Sequence, residues 1–132
     1  MKLLEVQRIL RADVLVDAHK LDNEVEMAFG ADLMSDILAM CREHTMILTG
    51  MTNIQVIRTA EMSDLAAIVF VRGKMPGQEI VAMAEEIGIP LLCTKLTMYE
   101  AAGLLFSAGL SGINRGAEPH RRIVAGGGAE KR

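Results

Sequence analysis

A chain of 132 residues is one domain by size, long enough to bury a core without disulfide or metal staples. Its 14 basic and 17 acidic residues leave a net charge of −3, and aromatic residues make up 3%; that balance lacks the basic face and the stacking platforms of a nucleic-acid binder. The hydrophobic fraction of 51% and the mean hydropathy of +0.28 are high for so small a domain. Even so, no apolar run approaches the roughly 20 residues needed to cross a bilayer, and Met1–Glu5, with Arg8 and Arg11 close behind, does not read as a signal peptide. The expectation is a cytoplasmic protein, not held in a membrane, whose spare apolar surface serves association.

Lys2–Leu10 places Leu3, Val6, Ile9 and Leu10 at helical spacing. Ala12–Val16 then reads as a strand, and His19-Lys20-Leu21-Asp22-Asn23 as a turn. Glu24–Phe29 alternates polar and apolar, the pattern of a half-exposed strand at a sheet edge or along an exposed face. Leu33, Met34, Ile37, Leu38 and Cys41 predict a strongly amphipathic helix over Leu33–Arg42, with Asp32 or Ser35 as its N-cap.

From Thr45 to Ala101 the pattern repeats three times: a short apolar run, a small polar or basic loop, a helical stretch. The runs are Met46-Ile47-Leu48, Ala66-Ala67-Ile68-Val69-Phe70-Val71 and Leu91-Leu92-Cys93. Without polar alternation they suit strands covered on both faces, and the intervening helices (Ile54–Met62, Glu79–Ile87, Met98–Ser107) supply the crossovers that parallel pairing needs. Ile54, Val56 and Ile57 are expected inward. Asn53 or Thr52 caps the first of these helices, Gly88 ends the second in a left-handed conformation, and Thr97 with Glu100 forms a capping box on the third. The fold class is therefore α/β, and the domain is expected over 1–110. Ser111–Arg132, rich in Gly and Arg, reads as a flexible, mildly basic tail with some order around Ile123-Val124.

In a parallel sheet the strand exits share one rim, where helix N-termini offer free N–H groups to anions. Thr49, Gly50, Asn53, Arg72, Gly73, Lys74, Thr94, Lys95 and Thr97 would converge there, with Arg72, Lys74 and Lys95 carrying charge suited to phosphate or carboxylate. The same residues also serve as plain caps and solvated cations, and the sequence leaves both readings open. His19, His44 and His120 lack metal spacing. Cys41 and Cys93 sit in apolar contexts as buried free thiols, and the ten methionines are read mainly as core. Glu85 and Glu86 are adjacent and point apart. The single Gly73-Lys74 lacks the upstream glycine of a phosphate-binding P-loop, which argues against kinase chemistry. No catalytic set, metal site or cofactor is called for.

Three blocks carry a family likeness: Ile47-Leu48-Thr49-Gly50 through Asn53-Ile54-Gln55, Ala67–Pro76, and Ala84-Glu85-Glu86-Ile87-Gly88-Ile89-Pro90-Leu91-Leu92-Cys93-Thr94-Lys95 with Thr97 and Tyr99-Glu100-Ala101. Together they resemble the DRTGG domain, which is similar to the N-terminal domain of bacterial HPr kinase/phosphorylase, over roughly Ala12 to Ser107. The chain departs from the name-giving letters, with Gly50-Met51-Thr52-Asn53 where the family often has Gly-Asp-Arg, and Val71-Arg72-Gly73 where it often has Thr-Gly-Gly. The resemblance implies a three-layer α/β/α fold with a small parallel or mixed sheet and a tendency to dimerise. It also implies a regulatory role, since members occur beside CBS domains in regulated pyrophosphatases, in phosphate acetyltransferases and as stand-alone proteins. The reading that follows is a non-catalytic, homodimeric regulatory domain binding a small anionic ligand such as an adenine nucleotide, and acting on a regulated enzyme partner. The Leu33–Cys41 helix and Val25, Met27 and Phe29 are the expected assembly surface. The alternatives are an interaction module without ligand, and an enzyme in which Lys95 or Arg72 holds a phosphorylated metabolite.

Overall fold

In a computed structural model that describes residues 1–113, the chain forms one six-stranded sheet in the order β1-β5-β4-β3-β2-β6. The elements are α1 (Leu3–Leu10), β1 (Asp13–Val16), β2 (Met27–Gly30), α2 (Met34–Met40), β3 (Thr45–Thr49), α3 (Ile54–Met62), β4 (Ala67–Phe70), α4 (Gln78–Ile87), β5 (Leu91–Cys93), α5 (Met98–Ser107) and β6 (Ser111–Gly112). β3 runs parallel to β4, with Met46 beside Ala67 and Thr49 beside Phe70. β4 runs parallel to β5, with Phe70 beside Cys93. β2 is parallel to β3 and to β6, and β1 alone is antiparallel, against β5. The sheet is mixed, with a parallel centre.

Period-two alternation along the central strands divides the core. Met46, Leu48, Ala67, Val69 and Leu92 pack against Leu3, Val6 and Leu10 of α1 and Ala101 and Leu105 of α5. Ile47, Ile68, Phe70 and Leu91 pack against Ile37 of α2, Val56, Ile57 and Ala60 of α3, and Ile80 and Ala84 of α4. Helices thus cover both faces, the α/β/α arrangement expected of unbroken apolar strands. Three ends follow their sequence signals. Asn53 accepts from the Gln55 N–H, Thr97 and Glu100 close a capping box, and Gly88 adopts φ 79° at the end of α4.

Elsewhere local pattern and fold diverge. Of the alternating Glu24–Phe29 segment only Met27 onward joins β2; Glu24 bridges to Lys2, and the Val25 N–H donates to the Met1 carbonyl. β6 lies outside β2, so β2 is not the edge. α2 is shorter than Leu33–Arg42 and weakly seated: Ile37 and Cys41 are buried, while Leu33 is 61% and Leu38 44% exposed. Neither Asp32 nor Ser35 caps it; Leu33 occupies the N-cap position and no side chain bonds there. Ile54 is half-buried where Val56 and Ile57 are fully so. Among the methionines Met46 is fully buried and Met1, Met34, Met83 and Met98 are half-buried against the core, as expected, while Met62 and Met75 are largely exposed. The remainder of the expected tail, 114–132 with Ile123, Val124 and His120, lies outside the described residues.

Candidate functional site at the strand-exit rim

The parallel run β2-β3-β4-β5 brings four exits to one end of the sheet. Asp32 follows β2, Thr49-Gly50 closes β3, Val71-Arg72-Gly73 follows β4 and Thr94 follows β5. The first two exits are tied by a carboxylate. Asp32 Oδ1 accepts from the Gly50 N–H at 2.8 Å and from the Thr49 hydroxyl at 3.1 Å, while Thr49 Oγ1 in turn accepts from the Met51 N–H at 3.2 Å. The other two are tied largely through backbone: Arg72 N–H donates to Leu96 O at 2.8 Å and Gly73 N–H to Thr94 O at 2.9 Å. Beneath them the buried Thr94 hydroxyl donates to Leu10 O at 2.8 Å, anchoring the rim to the end of α1.

Of the nine residues expected here, four have their side-chain oxygens committed to structure. Thr49 and Thr94 are bonded as described, Asn53 caps α3, and Thr97 caps α5. Arg72, Lys74 and Lys95 are exposed and have no ion-pair partner among the described residues. Arg72 adopts φ 59°, an uncommon conformation for a residue with a side chain, followed by Gly73 at φ 67°. Its guanidinium reaches back across the rim, so that a Cβ placed on Gly50 would lie 2.8 Å from Arg72 Nη2 and 3.6 Å from Asp32 Oδ1. A side chain at Gly50 would push the exposed guanidinium aside, a shift that its flexible chain can make. The rim presents three free cations over a bonded base, and one acid, Asp32, set beside Gly50 opposite Arg72.

Asp32 is the rim residue that sequence reasoning misplaced. Read locally, an acid before an apolar helical stretch is an N-cap; its actual partners sit 17 and 18 positions away and become visible only through the β2–β3 register. The thiols are unsuited to nucleophilic work. Burial pushes Cys41 up to about 11, and burial, with the Asp13 charge, raises Cys93, whose Sγ donates to Lys74 O at 3.3 Å. Among the described residues no cluster of His, Cys, Asp and Glu could hold a metal ion, and no helix is long and apolar enough to cross a membrane.

A second concave feature adjoins the rim. An apolar groove of about 680 Å³ runs between α5 and the β2–β6 side of the sheet, with Phe29, Gly30, Leu48, Leu104, Phe106 and Leu110 in its walls. Sequence reasoning placed surplus apolar surface on α2 and β2; Leu33 and Leu38 of α2 are exposed, but Tyr99 and Phe106 of α5, at 89% and 73%, are more so. The signal was present in Met98–Ser107, where Glu100 is the sole charged residue.

The DRTGG domain family matches residues 5–108. No curated protein sequence matches the chain. Among solved structures, the chain is similar to the CBS and DRTGG domains of the regulatory region of Clostridium perfringens pyrophosphatase, complexed with the activator diadenosine tetraphosphate. The TM-score is 0.71 at 13% identity, covering 86% of this chain and 51% of that one, so this chain spans about half the length of that structure. At such identity the likeness is one of fold.

Proposed function

We propose, from the premise that this chain belongs to the DRTGG domain family, that it is a non-catalytic, self-associating regulatory domain that binds a small anionic ligand, with adenine nucleotides the first class to test. The observation that carries this reading is the rim itself. Arg72, Lys74 and Lys95 stand exposed, with no ion-pair partner among the described residues, beside the N-termini of α3 and α5, where backbone N–H groups and helix dipoles favour negative charge. Arg72 keeps its uncommon backbone conformation at the same place, the kind of local strain that functional sites retain. The activator held by the pyrophosphatase regulatory region, a dinucleoside polyphosphate, makes phosphate the natural first probe.

Thermal unfolding with AMP, ADP, ATP and diadenosine tetraphosphate at millimolar concentration tests the reading. A ligand present at about 100 times its Kd adds ~2.7 kcal/mol to the folded state, a rise of several degrees in Tm for a domain of this size. Arg72→Ala and Lys95→Ala should abolish the rise while leaving the unliganded Tm in place. If no polyphosphate raises Tm, the ligand reading fails. The apolar groove beside α5 then favours the second reading, an interaction module without ligand.

A further inference from the structure

The apolar groove along α5 has a flat stretch between two rings. Tyr99, Ala102, Gly103 and Phe106 follow at i, i+3, i+4 and i+7 and so share one side of the helix, and all four line the groove. Gly103 lies in the helix interior, where glycine is less favourable than alanine. A Cβ there would meet nothing within 4 Å, so nothing inside the described chain calls for glycine. Bare backbone between two exposed rings suits a flat group lying close against the helix.

The groove also has a charged end. Gly30, Leu48 and Leu96 line it, and each stands one or two residues from a rim residue, Asp32, Thr49 and Lys95 respectively. The Arg72 N–H donates to Leu96 O at 2.8 Å, and the Arg72 guanidinium reaches to Gly50, two residues past Leu48. Groove and rim therefore adjoin, apolar along α5 and cationic where that helix begins. Glu100, the single charge of α5, is turned back into the capping box.

We infer that the groove receives the base of a nucleotide whose phosphates rest on Arg72 and Lys95. Charge selects this occupant among apolar ones. A hydrocarbon would leave the cations unused and a bare polyphosphate would leave the groove unused, whereas a nucleotide carries a flat uncharged ring at one end and negative charge at the other. Size agrees: the groove's volume of about 680 Å³ falls within the roughly 300–1,000 Å³ of small-molecule sites. Length agrees as well, since Gly103 stands five residues past Met98, about 7.5 Å along the helix axis, a gap that a ribose bridges. Tyr99 and Phe106 offer stacking faces, and stacking suits every base, so the groove would select for a base without reading which one. The inference rests on the ligand reading of the rim and adds what fills the groove.

Isothermal titration of the full chain with ATP and with inorganic tripolyphosphate tests it, because the two share the triphosphate and differ in base and ribose. ATP should bind at least about 10-fold more tightly. That ratio should collapse towards one in Gly103→Gln, which fills the space between the rings, and in Phe106→Ala, which removes one of them. Met62→Gln, an exposed position on α3 across the sheet from α5, should keep the wild-type ratio. Should Gly103→Gln fail to fold, Phe106→Ala decides. Equal affinities for ATP and tripolyphosphate in the wild type overturn the groove assignment and leave the rim reading standing, and so does a ratio that survives in Phe106→Ala. Dodecyl phosphate binding more tightly than ATP overturns it too, by putting a hydrocarbon chain where the base should lie. If neither ATP nor tripolyphosphate binds, the rim reading has failed and the inference falls with it.

Discussion

The two halves of the strand-exit rim are built from the same residue types and spend them differently. At the β2–β3 exits a threonine, a glycine N–H and an aspartate satisfy one another. At the β4–β5 exits a threonine bonds to a backbone carbonyl, and loop N–H groups bond across to Thr94 and Leu96, and among the described residues three cations are left without an ion-pair partner. Polar residues at a rim therefore do not by themselves mark a ligand site. What distinguishes the second half is charge that the fold does not consume. The contrast gives Asp32, Thr49 and Gly50 a structural part, and under the proposed function it leaves ligand contact to Arg72, Lys74 and Lys95.

The largest expected effect lies in the first half. Asp32→Ala removes a carboxylate that accepts two hydrogen bonds and leaves the buried Thr49 hydroxyl short of a partner, a loss of about 2–3 kcal/mol in urea unfolding. Asp32→Asn keeps an acceptor and removes the charge, so it should lose less stability and bind anions more tightly, because the guanidinium of Arg72 no longer shares its surroundings with an acid. Equal losses in the two variants would mean that the charge, and not the geometry, holds this corner.

Threonines next sharpen the contrast. Thr94→Val should cost about 1–2 kcal/mol, because Leu10 O loses its donor inside the core. Thr45, at the opposite end of β3 from Thr49, is buried with a hydroxyl that has no hydrogen-bond partner among the described residues. Thr45→Val exchanges that hydroxyl for a methyl of the same shape and should be neutral or stabilising. Opposite signs for two buried threonines of one sheet would be hard to obtain from propensity alone. A smaller effect is expected at Arg72, where Ala leaves stability within about 0.5 kcal/mol and Gly, free of the positive-φ cost, raises it by up to ~1 kcal/mol. Both variants should lose nucleotide binding.

The architecture was legible because its signals are local or periodic. The apolar runs ending at Leu48, Val71 and Cys93 fixed three strands, and Asn53, Thr97 and Gly88 marked helix ends through contacts two to four residues away. What escaped depended on register and on which neighbour covers which face. Asp32 belongs to a strand exit and not to a helix cap because β2 lies beside β3. Leu33 and Leu38 share one apolar stripe with Ile37 and Cys41 in the sequence, because a period of 3.6 shows one face, and no pattern says how much of that face a neighbour covers. On α5 the buried and exposed sides are equally apolar, so periodicity carries no information about which one faces solvent. Bonded and free polar side chains at the rim were indistinguishable for the same reason, since the acceptor of the Thr94 hydroxyl, Leu10 O, lies 84 residues away.

The smallest effect is also the most specific to the second half. Cys93 closes β5 beneath the Arg72–Lys74 loop and donates to Lys74 O. Burial, helped by the negative charge of Asp13, raises its thiol above the ordinary value of 9.0. Deprotonation is therefore disfavoured in the folded state relative to the unfolded chain. Its contribution to stability is complete below about pH 9 and falls as pH rises through the higher folded value. Cys41 adds to the same alkaline limb, between 9.0 and about 11. Cys93→Val should reduce the slope of stability against pH above 9 and leave it unchanged at neutral pH, while Cys41→Val removes the remainder. In the native protein at pH 8 both thiols should react slowly with iodoacetamide, and Cys93 should stay protected when phosphate ligands occupy the cations above it. Rapid alkylation of Cys93 at pH 8 would mean that the β4–β5 exits open in solution, and the free cations of that half would then belong to a moving loop and not to a standing site.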